Sequence, residues 1–129
     1  MFNMKRIFSI LSAMAVGMAA WATPKAVFAE KSHDFGNINE ADGNVTCEFE
    51  FTNDGDTPLV ILSANAQCGC TKPEFPKQPV KPGGKGVIKV TFRPRGYVGE
   101  FVKEVKVKTN DKSSKNVKLK ISGVVIPKK

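Results

Sequence analysis

Two cysteines separated by one residue are the part of this sequence whose residue types and spacing point to chemistry. They lie in Cys68-Gly69-Cys70-Thr71. Two thiolates at this spacing can converge on one soft metal ion, and Cu(I) is the ion expected for sulfur ligands at low coordination number. Gly69 is expected to supply the unusual backbone angles that such convergence needs. Because tetrahedral metal sites use more than a pair of ligands, Cys47 and His33 are the further candidate metal ligands.

A disulfide is the competing interpretation of the same cysteines, because cysteines tend to pair in the oxidising compartments that exported proteins reach. A bond between Cys68 and Cys70 would close a very small ring and be strained, hence readily reduced and reactive. A bridge from Cys47 to either of them would instead be structural. The chain has 3 cysteines, so any one intramolecular bridge leaves a thiol over.

Simpler roles are open to Cys47 and His33. Cys47 shares strand parity with Phe49 and Phe51, and free cysteine is among the most buried residue types, which favours a place in the core. A lone histidine near the start of a strand more often holds a turn through a hydrogen bond than binds metal.

The remaining residues do not favour enzymatic chemistry. The chain has 1 histidine, and the sequence shows no Ser, His and acid arrangement of a hydrolase. It also has no Gly-rich phosphate loop. Glu48 and Glu50 share one face of a predicted strand and are expected to be solvated outward residues. The sequence therefore predicts a protein that is not an enzyme.

The first residues have the pattern of a secretory signal peptide. Lys5 and Arg6 precede an uncharged stretch from Ile7 to Ala22, an order typical of the n-region and h-region of export signals. This stretch falls short of the roughly 18 to 20 apolar residues that cross a bilayer as a helix. The sequence therefore predicts an exported protein, periplasmic or secreted, with no stable membrane insertion after the signal is removed.

Cleavage is predicted after Ala22 rather than after Ala29. Pro24 breaks the helix at that point, and the residues that follow look like the first strand of the fold. Residues 1–22 are assigned to the signal and residues 23–129 to one β-sandwich domain. A chain of 129 residues leaves no room for a second core.

The charge balance is basic before and after the predicted cleavage. Loss of Lys5 and Arg6 lowers the formal net charge of +8 by two, to +6. Many lysines are spaced by two along predicted strands, which is typical of a solvated sheet face, and such lysines also protect exposed strand edges. Few aromatic residues lie among them, so a nucleic-acid partner is not expected.

The rest of the chain has the periodicity of an all-β fold. Apolar residues recur with period two and turn residues arrive at short intervals. In Val45–Thr52 the odd positions are apolar and the even positions polar, as a strand with one face on a core requires. Further strands are predicted at Ala26–Lys31, Leu59–Leu62, Val87–Phe92, Phe101–Thr109 and Val117–Val125. Lys103 breaks the parity of its strand and suggests a bulge or a late start. Seven to eight short strands in roughly 100 residues favour a two-sheet sandwich.

The order of these motifs resembles an exported bacterial family known only as a domain of unknown function. The motifs are His33-Asp34-Phe35-Gly36, Phe49-Glu50-Phe51-Thr52-Asn53-Asp54-Gly55, Cys68-Gly69-Cys70-Thr71, and Pro82-Gly83 followed by Ile88-Lys89-Val90-Thr91-Phe92. The resemblance covers residues 25–126 and implies an immunoglobulin-like sandwich of the hydin and major-sperm-protein type. It implies no activity. Cys47 stands where the family often has His.

Three functions follow from these observations. The first is an exported, non-enzymatic module that binds a protein partner through the sandwich edges or end loops. The second is a periplasmic protein that binds Cu(I) with Cys68 and Cys70, completed by Cys47 or His33. The third is a thiol-redox protein that uses the same pair.

Overall fold

The computed structural model describes residues 22–127, which form two four-stranded sheets packed face to face. The strands are β1 (Ala26–Phe28), β2 (Ser32–Asn39), β3 (Val45–Asn53), β4 (Ile61–Ala66), β5 (Thr71–Glu74), β6 (Lys85–Phe92), β7 (Gly99–Thr109) and β8 (Asn116–Ile126). No helix within residues 22–127 has the length and apolar character needed to cross a bilayer. The predicted signal peptide lies outside the described residues apart from Ala22.

The all-β sandwich predicted from the sequence is confirmed. One sheet has the order β1-β3-β6-β5 and the other the order β2-β8-β7-β4. All neighbouring strands are antiparallel except β2 and β8, which are parallel. Residues that the period-two pattern placed inside are buried between the sheets, among them Phe49, Phe51, Ile88, Val90, Phe92, Val105 and Val107. The outward prediction for Glu48 and Glu50 is also correct, because both are exposed.

The strand predicted at Ala26–Lys31 ends at Phe28 in the structure, and β2, which was not among the predicted strands, follows it in the opposite sheet. β1 pairs with β3, whereas β2 pairs with β8 in the opposite sheet. The connection from β1 to β2 passes from one sheet to the other and is hydrogen-bonded to both. Ala29 N–H donates to the carbonyl of Glu50 at 3.0 Å, and Lys120 N–H donates to the carbonyl of Lys31 at 2.9 Å. The half-buried residues of β2, Phe35 and Ile38, are three apart because the pairing shifts register between Asp34 and Asn37, so the period-two pattern did not reveal this strand.

Two other strand predictions need correction. The strand expected at Leu59–Leu62 lies at Ile61–Ala66, because Leu59 forms an isolated bridge to Val80 outside the main ladder. No strand was predicted at Thr71–Glu74, which is strand β5. Its four residues include Pro73, which lacks an N–H and is tolerated here because β5 is an edge strand.

Neither a bulge nor a late strand start occurs at Lys103, contrary to the prediction, because β7 begins at Gly99. The pairing of β7 with β8 is continuous from Gly99 to Lys108. The Lys103 side chain lies on the core side of β7, and its ammonium lies 5.2 Å from the centroid of the Tyr97 ring. A long aliphatic stem and a cation–π contact make this half-buried position acceptable for a lysine.

Asp111 is a buried carboxylate that ties the start of the fold to the turn between β7 and β8. It is 2% exposed. One oxygen accepts from Ala26 N–H at 3.0 Å, and the other accepts from the N–H and hydroxyl of Ser113 at 2.9 and 2.6 Å. Burial raises the pKa of Asp111, but these hydrogen bonds outweigh burial and hold the pKa below its ordinary value of 3.8.

Asp111→Asn is expected to reduce the free energy of unfolding by about 1 to 3 kcal/mol at neutral pH, because an amide nitrogen then faces backbone donors. A lowered native-state pKa means that the carboxylate stabilises the fold fully above 3.8, and that this stabilisation is lost as pH falls through the native value. The difference in the free energy of unfolding between wild type and Asp111→Asn should therefore become smaller in acid. Urea unfolding from neutral to strongly acidic pH measures it, and a gap independent of pH would contradict this role.

Candidate functional site

The cysteine loop joins β4 to β5 at one end of the sandwich. Cys68 and Cys70 are joined by a disulfide, with their Cα atoms 5.3 Å apart. Cys70 is 3% exposed and belongs to the core, whereas Cys68 is half-buried. The two cysteines of one bond therefore have different access to solvent.

Several donors and acceptors surround this disulfide. Cys70 N–H donates to Cys68 Sγ at 3.1 Å. The hydroxyl of Tyr97 lies 3.7 Å from Cys68 Sγ, and the hydroxyl of Thr71 lies 3.5 Å from Cys70 Sγ. Both sulfurs therefore have a hydroxyl within contact distance.

Tyr97 belongs to the connection between β6 and β7, and its position is fixed by that loop. Its N–H donates to the carbonyl of Pro94 at 2.9 Å, and its ring lies 5.8 Å from that of Phe92. Arg93 N–H donates to the carbonyl of Cys70 at 2.8 Å, which ties this loop to the cysteine loop. Sequence reasoning did not find Tyr97, because nothing local signals a contact between residues 29 apart.

Gly69 does not adopt the backbone conformation expected for it. The glycines with positive φ among the described residues are Gly36, Gly43, Gly83, Gly96 and Gly99. A Cβ atom at Gly69 would have no neighbouring atom within 4 Å, apart from those of adjacent residues. The close approach of the two sulfurs therefore does not depend on a left-handed residue between them.

Cys47 is a core residue of β3, as the simpler of its two interpretations predicted. It lies opposite Val90 of β6, and Pro73 of β5 lies opposite the same residue. Cys47 is therefore two strand spacings from Cys70, about 10 Å, and three residues further along the strands, about another 10 Å. Burial, with a smaller contribution from the Glu48 charge, raises the pKa of the Cys47 thiol to about 11. Such a thiol is protonated at neutral pH, whereas metal binding and nucleophilic attack need the thiolate.

His33 lies far from the cysteines, on the exposed edge strand β2. Its ring packs edge-on against Phe35, with 4.7 Å between centroids. In its sheet β2 and β4 are the two opposite edges, and the cysteine loop follows β4. The structure thus does not bring the four predicted metal ligands together, and residues 22–127 contain no group of three or more His, Cys, Asp or Glu side chains that could hold a metal ion.

The outer face of the β2-β8-β7-β4 sheet is divided between apolar and charged side chains. Near the start of β7, Val98 is 66% exposed and Val102 is 58% exposed. Ile126, 39% exposed, and the half-buried Val124 lie at the same end of β8, because Gly99 pairs with Val125. We call Val98, Val102, Val124 and Ile126 the apolar patch; one charged residue, the exposed Glu100, lies within it, opposite Val124. It begins one residue after Tyr97.

The other half of this face carries what we call the lysine rows: Lys106, Lys108, Lys118 and Lys120. Lys106 of β7 lies directly opposite Lys118 of β8, and like charges directly opposite each other destabilise a sheet. Glu104 opposite Lys120 offsets only part of this repulsion. The lysine rows thus place unfavourable positive charge next to the apolar patch.

Two sheets of four strands with this topology define an immunoglobulin-like, PapD-like sandwich, and solved structures share it. A protein of unknown function from Porphyromonas gingivalis W83 matches with a TM-score of 0.71 and 18% identity, covering 84% of this chain and 50% of that chain. PapD-like domain 7 of human CEP192 matches with a TM-score of 0.63 and 17% identity, covering 88% of this chain and 93% of that chain. The periplasmic chaperone SfaE matches with a TM-score of 0.54 and 11% identity, covering 81% of this chain and 59% of that chain.

The chain belongs to the family described as protein of unknown function DUF1573, whose model matches residues 26–125. Membership confirms the resemblance to an uncharacterised family that the motifs predicted. The chain spans half of the P. gingivalis protein. No curated protein matches the sequence.

Proposed function

We propose that this protein is an exported, non-enzymatic domain that binds a protein partner through the apolar patch. The observation that carries the proposal is the clustering of exposed apolar side chains. Of the five large hydrophobic residues that are exposed within residues 22–127, three belong to the patch: Val98, Val102 and Ile126. A cluster of exposed apolar side chains, here around the single charged residue Glu100, is typical of an interaction site.

The lysine rows indicate the chemistry of the partner. A partner with an apolar contact surface and acidic groups beside it would cover the patch and relieve the repulsion between Lys106 and Lys118. Buried apolar contacts supply affinity at such interfaces, while charges at the rim supply orientation and association rate. The proposed partner is therefore a protein with an apolar surface bordered by Asp and Glu.

Export is supported by the signal pattern of residues 1–22 and agrees with the periplasmic location in the printed name of SfaE. The mass of the mature protein, isolated from its native compartment, tests the predicted cleavage after Ala22. A mature chain that begins elsewhere would contradict that site, and an intact chain in the cytoplasm would contradict export.

The binding proposal is tested by placing a photo-crosslinking amino acid at position 98 and, as a matched control, at position 27. Val27 is also an exposed valine, 43% exposed, but lies on β1 in the opposite sheet. We expect a discrete cross-linked protein from position 98 and none from position 27. The partner is then identified by mass spectrometry, purified and used in a binding titration.

In that titration, the double variant Val98→Asp, Val102→Asp is expected to weaken binding at least about tenfold, because it places charge in an apolar contact. Val27→Asp should bind like wild type. Equal losses in both variants would contradict the proposal, as would cross-links from position 98 only to a second copy of this chain or to nucleic acid.

A further inference from the structure

We propose that the Cys68–Cys70 disulfide is a thiol–disulfide exchange site, at which a dithiol protein attacks the Sγ atom of Cys68. This inference goes beyond the partner surface and does not depend on it. Three features carry it: the short span of the bond, the different access to its two sulfurs, and the hydroxyl groups beside them.

The span of the bond makes it a poor device for stabilising the fold. A disulfide stabilises mainly by constraining the unfolded chain, and the effect falls with the length of the closed loop. This bond encloses Gly69 only. The loop is already held at both ends, since Gln67 N–H donates to the carbonyl of Glu104 and Arg93 N–H donates to the carbonyl of Cys70.

Access to the sulfurs assigns their roles. Exchange requires a thiolate to reach one sulfur of the bond while the other departs. Cys70 is 3% exposed and packed in the core, whereas Cys68 is half-buried next to the exposed Gly69. An incoming thiolate therefore reaches Cys68, and Cys70 is the leaving group.

The reaction balances with a dithiol protein as reductant. A thiolate of that protein forms a bond to Cys68 Sγ, the bond between Cys68 and Cys70 breaks, and its electron pair stays on Cys70 Sγ. The hydroxyl of Thr71, 3.5 Å away, can donate a hydrogen bond to this thiolate before it takes a proton from solvent. The second thiolate of the partner then displaces Cys68, so the partner is oxidised to a disulfide and this chain is reduced to two thiols.

Tyr97 acts on Cys68 as a positioning residue. The Tyr97 hydroxyl lies 3.7 Å from Cys68 Sγ. A hydroxyl donor favours a thiolate at Cys68 when it leaves in the second step.

Trapping tests which sulfur is attacked. The oxidised protein is mixed with a dithiol reductase whose second active-site cysteine is replaced by Ser, so that the mixed disulfide persists. We expect this adduct on Cys68, mapped by peptide mass spectrometry. An adduct on Cys70, or none at reductase concentrations that form the adduct with an accessible control disulfide, would overturn the proposal.

Variants in which one cysteine of the pair is replaced by Ser give a second measure. Cys68 in Cys70→Ser is expected to react with iodoacetamide at least about tenfold faster than Cys70 in Cys68→Ser at neutral pH. The buried Cys47 thiol serves in both as an internal control for folding, because it should react only after denaturation. Adding Tyr97→Phe to Cys70→Ser should shift the pH profile of the Cys68 reaction to higher pH. An unchanged profile would show that Tyr97 does not stabilise the Cys68 thiolate.

The wild-type protein itself provides the remaining check, so the outcome does not depend on variants that fold poorly. Equilibration with glutathione buffers of increasing reducing strength should convert the bond to two thiols, while circular dichroism and the melting temperature change little. A bond that stays oxidised in every buffer, or a fold that is lost on reduction, would show a structural disulfide and overturn the proposal.

Discussion

Asn53→Ala is expected to lower the free energy of unfolding by about 3 to 5 kcal/mol, enough to unfold much of a marginally stable domain. Asn53 is 0% exposed at the end of β3. Its amide nitrogen donates to the carbonyls of Thr57 and Val80 at 2.8 and 2.9 Å. Its amide oxygen accepts from the N–H groups of Lys25 and Gly55 at 3.2 and 2.9 Å. Alanine removes all four hydrogen bonds, and of these backbone groups the Val80 carbonyl keeps a bond from Leu59 N–H.

Urea unfolding of the mature protein, followed by circular dichroism, measures this effect. Asn65→Ala is the matched control, because Asn65 is an exposed asparagine on β4 and should change stability little. Asn53→Asp should also be destabilised, since it replaces the donor to Thr57 and Val80 by an acceptor. Similar stabilities of Asn53→Ala and Asn65→Ala would show that the buried amide does not hold these segments.

The same residue shows how far the sequence can predict this fold. Asn53-Asp54-Gly55 reads as a turn, and the bond from Gly55 N–H to the Asn53 side chain is such local chemistry. The partners Val80 and Lys25 are 27 and 28 residues away. Period two and turn residues are local properties, so they predicted most strands, whereas the long-range role of Asn53 depends on which segments the fold brings together.

The candidate site has the same division between local and distant information. The bond between Cys68 and Cys70 was among the predicted alternatives, because both residues lie in one motif. The separation of Cys47 and His33 from them depends on sheet order and register. The apolar patch also escaped prediction: period two places Val102 and Val124 outward, but their closeness depends on the pairing of β7 with β8.

Gly86→Ala is the second change with a large expected effect, about 2 to 3 kcal/mol in the free energy of unfolding. Gly86 of β6 lies directly opposite Phe51 of β3. A Cβ atom at Gly86 would lie 2.5 Å from Cζ of the Phe51 ring and 3.0 Å from its Cε1. Phe51 is 0% exposed and its ring also packs against Phe28, at 5.3 Å between centroids, so the ring cannot move without displacing its neighbours.

A double-mutant cycle identifies the Phe51 ring as the cause. Phe51→Leu removes the ring atoms that the new methyl group would meet, so Gly86→Ala should cost less in that background than in wild type. Gly69→Ala is the control for the glycine change, because a Cβ at Gly69 meets nothing within 4 Å, and it should be close to neutral. Additive effects of Gly86→Ala and Phe51→Leu would contradict the proposed clash. A reduced cost in the Phe51→Leu background would establish that the core accepts the Phe51 ring only because residue 86 has no side chain.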